Sequence, residues 1–383
     1  MIGREVSKLL KEITASFKAI AITGPRQCGK TTLTKSFFPE KPYVTLENPT
    51  DRNLALADPV RFLSAFPQGA ILDEVQKAPE LFSYLQGILD QSEQKGKFIL
   101  TGSNNFLLLE SISQSLAGRV GYLDLLPFSI RESEACPQPP ATLEESIFLG
   151  GYPSVVHDRA RPETWFASYV RTYVERDVRL VKNISDLSTF QRFLYLCAGR
   201  IGQQINLTNL ANEVGVDHKT IQSWLGVLQA SYIIYTLPPY YKNFNKRLTK
   251  ASKLYFYDTG LACYLLGIKA ANELTNHGYR GHLFENFLVV ELLKNRYNKG
   301  QRSNLFYWRD SSGNEVDVLI DNGSTQIPVE IKSAATLNLD FFKGLNYWEK
   351  LTGQIGGKLV YSGDEGKNYK EFTVHHWKSI GNL

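Results

Sequence analysis

The sequence has few of the residues that build disulfide frameworks and zinc sites. Among its 383 residues there are only four cysteines, at positions 28, 136, 197 and 263. Zinc ligands and the cysteines of disulfide-rich domains recur at short, paired spacings, and none of these four is near another. The cysteine pattern therefore indicates neither a disulfide framework nor a zinc site.

The sequence also lacks a hydrophobic run long enough to cross a membrane. A membrane-spanning helix needs about 20 consecutive apolar residues, and no stretch of this sequence comes near that length. The first helix-forming stretch, "IGREVSKLLKEI", mixes both charge signs with apolar residues, which is not the pattern of a signal peptide or a membrane anchor. We therefore expect a cytoplasmic protein with no membrane partner.

Neither sign of charge dominates the composition. The 43 Lys and Arg residues against 38 Asp and Glu residues give a formal net charge of +5. This small positive balance permits contact with nucleic acid without requiring it. With 43% hydrophobic and 21% charged residues, the chain has the composition of a globular protein and the length for two or three domains.

The stretch "GPRQCGKTTL", residues 24–33, follows a short apolar run and precedes a segment that predicts a helix. Its spacing of Gly24, four residues, Gly29, Lys30 and Thr31 is that of a P-loop, in which backbone N–H groups surround a phosphate. Lys30 would reach the β- and γ-phosphates, and the hydroxyl of Thr31 would bind Mg²⁺, which prefers hard oxygen ligands. The predicted nucleotide-binding residues are Gly24, Pro25, Arg26, Gln27, Cys28, Gly29, Lys30, Thr31 and Thr32. The alternative is a glycine-rich turn that has this spacing by chance.

Two later apolar runs end in polar residues that suit the same site. In "GAILDEVQ" the run is followed by Asp73, placed to hold the water shell of the metal ion, and by Glu74, placed to orient or deprotonate the attacking water. In "KFILTGSNN", residues 97–105, Ser103 or Asn104 could sense the γ-phosphate, because ligands bind at the carboxyl ends of strands in an open parallel sheet. A polar turn after a strand is the alternative for Ser103 and Asn104.

These motifs resemble those of the AAA-type P-loop ATPases, in particular an archaeal and bacterial branch. The shared motifs are "GPRQ.GKTTL" (24–33), "ILDEVQ" (71–76), "LTGS" (100–103) and "SLAGRV...LLPFS.RE" (115–132). The resemblance implies ATP hydrolysis by an α/β domain, here residues 1–135, with a P-loop parallel sheet and flanking helices. It also makes Arg119 a candidate arginine finger or sensor. Whether Arg119 would act on its own nucleotide or on a neighbouring copy's is open, as is a surface position with no catalytic role.

Residues 136–245 follow a boundary rich in proline and predict a helical, winged-helix-like domain. In "NLTNLANEVGVDHKTIQSWLGVLQASYIIY" a short helix ends at Gly215, and Asp217 can cap a second helix with apolar residues on one face. In a helix-turn-helix unit the start of the second helix would enter a DNA groove. The residues in that position are His218, Lys219, Thr220, Gln222 and Ser223. The alternative for this unit is a module that contacts only another protein. The basic run at 246–253 fits either a surface that binds a nucleic-acid backbone or a loop that leads into a buried strand.

Charged residues alternate with apolar ones in two predicted strands near the C-terminus. "GNEVDVLI" places Glu315 and Asp317 on one strand face, and "IPVEIKSA" places Glu330 and Lys332 on one face of the next. A hairpin would bring Asp317, Glu330 and Lys332 together. Glu285 lies on an apolar face of the helical stretch "GHLFENFLVVELLKN" and therefore needs a partner. We predict that Glu285, Asp317 and Glu330 hold a metal ion and that Lys332 positions a water, with a salt-bridged hairpin as the alternative.

The acids and the lysine of this segment resemble those of the PD-(D/E)xK nucleases. Asp317 matches the first acid, Glu330-x-Lys332 the E-x-K unit and Glu285 the helical acid, although Val316 stands where the family often has proline. The resemblance implies a nuclease-like α/β domain at 246–383. The whole chain resembles a family in which such an ATPase precedes a C-terminal domain of uncharacterised role, with the motifs "KLYFYDTGLA", "G.LFENF" and "EVDVLI...IPVEIK".

The sequence as a whole predicts an ATP-binding and ATP-hydrolysing protein whose nucleotide state controls a C-terminal DNA-binding or DNA-cleaving module. ATP, Mg²⁺ and DNA are the expected cofactors and partners, and association into a homo-oligomer is left open. The alternative is a nucleotide-gated scaffold with an inactive nuclease-like domain. A nucleotide kinase would explain the P-loop but fits poorly with "ILDEVQ" and the long C-terminal region.

Overall fold

The computed structural model describes residues 2–102, 112, 115–178, 186–241, 250–363 and 368–383. These residues form two units. The first lies within Met1–Phe128, Ala230–Tyr232 and Tyr297–Gln301, and the second within Ser129–Gln229, Ile233–Arg296 and Arg302–Leu383. The three-part division at 1–135, 136–245 and 246–383 stays a prediction. Among the described residues, no helix has both the length and the apolar character that crossing a bilayer requires.

A five-stranded parallel sheet is the centre of the first unit. Its strands are β1 (Ala19–Thr23), β2 (Tyr43–Thr45), β3 (Ile71–Asp73), β4 (Phe98–Thr101) and β5 (Val120–Asp124). Their order is β2-β3-β4-β1-β5, and each adjacent pair is parallel. The helices are α1 (Ser7–Ser16), α2 (Lys30–Phe37), α3 (Pro49–Ala57), α4 (Pro59–Ser64) and α5 (Leu81–Gln91). The predicted α/β unit with a parallel sheet is thus confirmed.

The central strand β1 is buried on both faces, which explains its uninterrupted apolar sequence. Successive side chains point to opposite faces of a strand. Ala21 accordingly packs with Leu100 in one apolar core, and Ile22 packs with Ile99 in the other. Because both faces are covered, the carboxyl ends of the strands are the part of the sheet where a ligand can bind.

The second unit combines helices with a hairpin and a mixed sheet. Helices wholly or mainly within it are α6 (Ile130–Glu134), α7 (Leu143–Leu149), α8 (Pro153–Val156), α9 (Pro162–Tyr169), α10 (Leu187–Ala198), α11 (Leu207–Val214), α12 (His218–Ala230), α13 (Thr259–Leu265), α14 (Arg280–Asn298) and α15 (Lys343–Thr352). The antiparallel pair is β6 (Ile234–Leu237) with β7 (Lys253–Phe256).

The helices α11 and α12 begin and end where the sequence predicts. Gly215 has a φ of 86° and donates its N–H to the carbonyl of Ala211, which ends α11 in the manner typical of glycine. The side chain of Asp217 accepts from the backbone N–H groups of Lys219 and Thr220 at 2.8 and 3.0 Å and caps α12. Ile221, Trp224, Leu225 and Leu228 are buried, as their helical spacing predicts.

A five-stranded mixed sheet carries the predicted C-terminal hairpin. Its strands are β8 (Leu305–Arg309), β9 (Glu315–Asp321), β10 (Gln326–Lys332), β11 (Gly357–Tyr361) and β12 (Phe372–His376). Their order is β12-β11-β10-β9-β8. The pairs formed by β8, β9 and β10 are antiparallel, and those formed by β10, β11 and β12 are parallel. The predicted hairpin of β9 and β10 is confirmed, with Val318 opposite Val329.

Candidate functional site

The phosphate loop lies between the end of β1 and the start of α2. Gly24 and Gly29 have φ angles of 140° and 97°, which side-chain-bearing residues rarely adopt. A Cβ at Gly24 would also collide with the carbonyl oxygen of Leu125. Glycine at position 24 is therefore required by the backbone itself. Helix α2 begins directly after the loop, so the free N–H groups of its first turn face the loop.

The ammonium group of Lys30 is held inside this loop. The side chain is 6% exposed, and its Nζ donates to the carbonyl oxygens of Gly24 at 2.9 Å and Pro25 at 2.8 Å. These carbonyls keep the buried cation hydrogen-bonded. An incoming phosphate can offer stronger, charge-assisted bonds to the same group.

The remaining predicted loop residues line or border this turn. Gln27 has a φ of 61°, and Arg26 pairs with Glu47 at 3.4 Å. Cys28 is fully buried, and its carbonyl accepts from Nη1 of Arg4 at 3.0 Å. Thr32 is exposed in the first turn of α2.

Three hydroxyl groups donate to the carboxylate of Asp73, at the end of β3. Thr101 donates to Oδ1, whereas Tyr43 at 2.6 Å and Thr31 at 3.4 Å both donate to Oδ2. Burial and the hydrogen bond to Asp73 raise the pKa of Tyr43, so its phenol stays protonated. The structure thus brings Thr31 and Asp73 together, as predicted. Their hydroxyl and carboxylate oxygens are the ligand types that Mg²⁺ prefers, so the residues present fit this ion.

Glu74 is buried beside Asp73 in a strained backbone conformation. Its φ of 54° lies in the left-handed region, which costs a non-glycine residue on the order of 1 kcal/mol. Nε2 of Gln76 donates to Oε2 of Glu74 at 2.5 Å. Oε1 of Gln76 is buried and has no hydrogen-bond partner among the described residues. Gln76 therefore orients Glu74 and leaves an acceptor beside it for a donor such as water.

The sequence did not identify Tyr43, Thr101 or Gln76 as site residues. Thr101 and Gln76 belong to the motifs "LTGS" and "ILDEVQ", so these motifs could have identified them as site residues. Tyr43 belongs to no motif and lies in an ordinary strand. The predicted sensors Ser103 and Asn104 lie outside the described residues.

Arg119 lies at the opposite edge of the sheet from the phosphate loop. Its carbonyl accepts from the N–H of Ala19, the first residue of β1, whereas the loop follows Thr23, the last. At about 3.3 Å per residue, the strand separates the two positions by roughly 13 Å. The guanidinium pairs with Asp90, with Nε–Oδ1 at 2.5 Å and Nη2–Oδ2 at 3.0 Å. This position disfavours action on the nucleotide of its own domain, and a catalytic role of Arg119 stays a prediction.

The hairpin of β9 and β10 brings Asp317, Glu330 and Lys332 together in the second unit. Nζ of Lys332 lies 2.9 Å from Oδ2 of Asp317 and 2.6 Å from Oε2 of Glu330. The backbone N–H of Ile331 also donates to Oδ2 of Asp317 at 2.8 Å. The predicted convergence of these three side chains is thus observed.

Lys253 forms a second bridge that the sequence did not reveal. It is 3% exposed, and its Nζ lies 3.0 Å from Oε1 of Glu285 and 2.5 Å from Oε1 of Glu315. The hydroxyl of Tyr255 donates to the same Glu285 oxygen at 2.6 Å. Lys253 is the last residue of the basic run and the first of β7, and no local spacing connects it with acids that are 32 and 62 residues away.

The pKa values of the neighbouring carboxyl groups of Asp317 and Glu330 are shifted in opposite directions. Burial and the charge of Asp317 raise the pKa of Glu330 well above its usual value. Burial alone would raise the pKa of Asp317 too, but the charges of Lys332 and Lys253 outweigh it and lower this pKa to about 2. Asp317 therefore loses its proton at a lower pH than Glu330 does.

This cluster is ion-paired rather than arranged as a metal site. Within the described ranges, no group of three or more His, Cys, Asp or Glu side chains is placed to hold a metal ion. The predicted set of Glu285, Asp317 and Glu330 is no exception, because the ammonium groups of Lys253 and Lys332 lie between the carboxylates. Metal binding by these three residues stays a prediction, and it would require the lysines to move.

An open cavity of about 580 Å³ borders the outer half of the cluster. Glu315, Asp317, Glu330 and Lys332 line it, whereas Glu285 and Lys253 do not. Its wall on α15 carries further cationic and polar side chains. These are Lys343, Asn346, Tyr347 and Lys350. The cavity therefore combines an acidic floor with a wall that carries two lysines, of which Lys343 pairs with Asp340 at 3.1 Å.

Three family models match the chain, each over part of its length. Residues 16–134 match a family described as AAA domain, residues 140–272 match a domain of unknown function (DUF8612) and residues 280–380 match another (DUF4143). The first match confirms the predicted AAA-type P-loop ATPase domain and its capacity to bind nucleotide. The other two carry no assigned activity.

Similar proteins include an uncharacterized protein of Mycobacterium tuberculosis, 29% identical over 337 residues, or 87% of this chain and 74% of that protein. An uncharacterized protein of Haemophilus influenzae is 26% identical over 212 residues, or 52% of this chain and 51% of that protein. Among solved structures, the Walker-type ATPase of Pyrococcus abyssi is 17% identical and has a TM-score of 0.45. That match covers 70% of this chain and 96% of the other.

Proposed function

We propose that this protein is a Mg²⁺-dependent ATPase that uses Lys30, Thr31, Asp73 and Glu74, and that its nucleotide state controls a DNA-handling module in the second unit. The observation that carries the ATPase proposal is the meeting of Thr31 and Asp73 at the carboxyl ends of β1 and β3, beside the buried ammonium of Lys30. That geometry supports the sequence motifs and the AAA match.

Each of the four residues has a distinct task in this proposal. Lys30 exchanges its two carbonyl partners for β- and γ-phosphate oxygens. Glu74, oriented by Gln76, accepts a proton from water as the water oxygen bonds to the γ-phosphorus and the bond to the bridging oxygen breaks. Thr31 and Asp73 would hold Mg²⁺, which supplies charge neutralisation between the phosphates when it is bound.

Calorimetry and ATP turnover with the full chain test the ATPase. Glu74→Gln should retain ATP binding but lower turnover by roughly 10²- to 10⁴-fold, the contribution of a general base. Lys30→Ala should lose both binding and turnover, whereas Lys11→Ala, on the exposed side of α1, should change neither. Wild-type protein that takes up no ATP in magnesium buffer would refute the proposal.

A DNA-cleaving activity is the second candidate, and the cavity beside Asp317, Glu330 and Lys332 favours it. Lysines on its wall suit the phosphates of a nucleic acid, and acids on its floor suit a divalent cation that would displace Lys332 from its present bridge. The order of strands, with an antiparallel hairpin followed by a parallel neighbour, fits the resemblance to PD-(D/E)xK nucleases.

Incubation of the full chain with supercoiled plasmid and Mg²⁺ or Mn²⁺ tests cleavage. The wild type and Lys269→Ala, whose side chain is exposed, should nick the plasmid, and Lys332→Ala should not. Absence of cleavage with either metal would favour the alternative of a nucleotide-gated scaffold.

A further inference from the structure

A groove of about 870 Å³ lies in the second unit between the start of α11, one face of α12 and the β6–β7 pair. The side chains of His218, Gln222, Leu225 and Gln229 face it, at helical positions i, i+4, i+7 and i+11. The other side of α12 is occupied by core residues such as Trp224 and Leu228. The helix is thus anchored on one side and presents a polar face on the other.

The groove is lined by polar and basic side chains and by four apolar residues, Ile205, Leu207, Leu225 and Ala251. Gln204, Asn206, Gln222 and Gln229 supply side-chain amides, and His218 and Lys250 supply the basic groups. No Asp or Glu is among the described residues that line it. This combination disfavours a basic peptide and suits an anionic ligand with exposed hydrogen-bonding edges.

Two of these amides already have protein partners. Nε2 of Gln229 donates to Oγ1 of Thr236 at 2.6 Å, and Nε2 of Gln204 donates to the hydroxyl of Tyr307 at 3.0 Å. These bonds fix the two side chains and leave their carbonyl oxygens as acceptors. Gln222 also lines the groove and is exposed.

A glycine interrupts the exposed face of α12 beside the groove. Gly226 follows Gln222 by one helical turn and is exposed, and a Cβ built on it would have no atom within 4 Å. Its φ does not lie in the left-handed region, so neither the backbone nor the packing requires glycine. Glycine inside a helix costs about 1 kcal/mol relative to alanine. We infer that a ligand approaches the helix backbone closely at this position.

We propose that this groove and the α12 face around Gly226 bind duplex DNA in the major groove, a proposal that rests on the DNA-handling part of the proposed function. An α-helix fits the major groove, and glutamine amides can pair with adenine edges there. Lys219 and Lys250 flank the face and can reach phosphates. A peptide partner would instead need apolar pockets. Leu225 on the α12 face is buried, and Ile205 and Leu207, which also line the groove, are only partly exposed.

Fluorescence anisotropy of the full chain with a labelled duplex of mixed sequence provides the test. Gly226→Gln should weaken duplex binding by about tenfold or more, because its side chain occupies the space of close approach. Gly87→Gln is the matched control, since Gly87 is exposed in the middle of α5 with equally open space at its Cβ. Both changes remove a helical glycine, so both variants should fold, and circular dichroism verifies this.

A second variant addresses base contact. Gln222→Ala should lower the affinity for duplexes selected by the wild type from a random pool by roughly 5- to 100-fold, the value of a bidentate amide contact. Its affinity for unselected duplex should change little.

The possible outcomes distinguish failure of the groove assignment from failure of the DNA-handling proposal. If the wild type binds duplex and Gly226→Gln binds it equally well, the groove assignment is refuted and DNA handling stands. If the wild type prefers single-stranded oligonucleotide or binds no nucleic acid at all, the duplex proposal is refuted whatever the variants do. ATP turnover of the same samples, measured in parallel, shows whether the nucleotide site is intact.

Discussion

The phenol of Tyr43 donates a hydrogen bond of 2.6 Å to Oδ2 of Asp73, the same oxygen that Thr31 approaches at 3.4 Å. Tyr43 lies on β2 opposite Ile71 of the neighbouring strand β3, and Asp73 follows Ile71 by two positions. The bond therefore joins the two strands at the carboxyl end of the sheet. With Thr101 on the other oxygen, the carboxylate of Asp73 is held in one orientation before any nucleotide arrives. Tyr43 is therefore a positioning residue for the proposed metal ligand.

Replacing Tyr43 with phenylalanine should lower ATP turnover several-fold and leave the affinity for ATP nearly unchanged. The variant retains the ring but lets Asp73 rotate, and it costs about 1 kcal/mol of unfolding free energy for the lost bond. Turnover and calorimetry on the same preparation check both effects. Tyr84→Phe, on the exposed side of α5, is the control. Turnover equal to that of the wild type would mean that Thr101 alone orients Asp73.

Gln76 should affect the chemical step through Glu74. Gln76→Ala removes the amide that donates to Oε2 of Glu74 at 2.5 Å, so the strained, buried carboxylate loses one of the contacts that orient it. We expect kcat to fall about tenfold or more with little change in KM, because the ground-state phosphate contacts are intact. Gln91→Ala, in which an exposed glutamine at the end of α5 is removed, should behave as the wild type. A rise in KM at constant kcat would contradict this role.

The parts that the sequence predicted are those encoded by short spacings. Gly24, Gly29 and Lys30 belong to one short loop. The alternation of side chains along β9 and β10 predicted that Asp317 and Lys332 would lie close together. Tyr43 and Lys253 were not predicted, because their partners come from strands and helices distant in sequence and depend on tertiary pairing.

The position of Arg119 relative to the phosphate loop also follows from the sequence pattern. Arg119 precedes the apolar run of β5, whereas the phosphate loop follows that of β1, and these positions lie at opposite ends of parallel strands.

Removing Lys253 should destabilise the second unit strongly. Lys253→Met leaves the carboxylate of Glu285 without its cation and leaves Glu315 paired with Arg309 alone. Removal of one partner from a buried ion pair typically costs about 3–5 kcal/mol of unfolding free energy. Denaturant titration measures this cost. Lys350→Met, on the exposed rim of the cavity, should change stability by less than about 0.5 kcal/mol.

A double variant distinguishes lost charge pairing from lost packing. In Lys253→Met combined with Glu285→Gln, the buried negative charge is removed together with its partner, so part of the stability should return. If the double variant is as unstable as the sum of the two single variants, the bridge does not account for the effect.

Glu330 should make the second unit less stable as the pH rises. Its pKa is raised in the folded state, so between the unfolded value of about 4.5 and the folded value the native protein binds one more proton than the unfolded chain. Unfolding free energy then falls with pH, by at most about 1.4 kcal/mol per pH unit from this group. Asp317 has the opposite sign, because its pKa is lowered to about 2, and its contribution is lost only as the pH falls below about 3.8.

Glu330→Gln isolates this effect, since the amide cannot titrate. The unfolding free energy of the variant relative to the wild type should rise as the pH is increased above about 4.5, as measured by denaturant titration over a series of pH values. Glu371→Gln, which neutralises an exposed carboxylate of the same unit, corrects for the change in net charge. Parallel stability curves for Glu330→Gln and the wild type would mean that Glu330 ionises normally despite its burial.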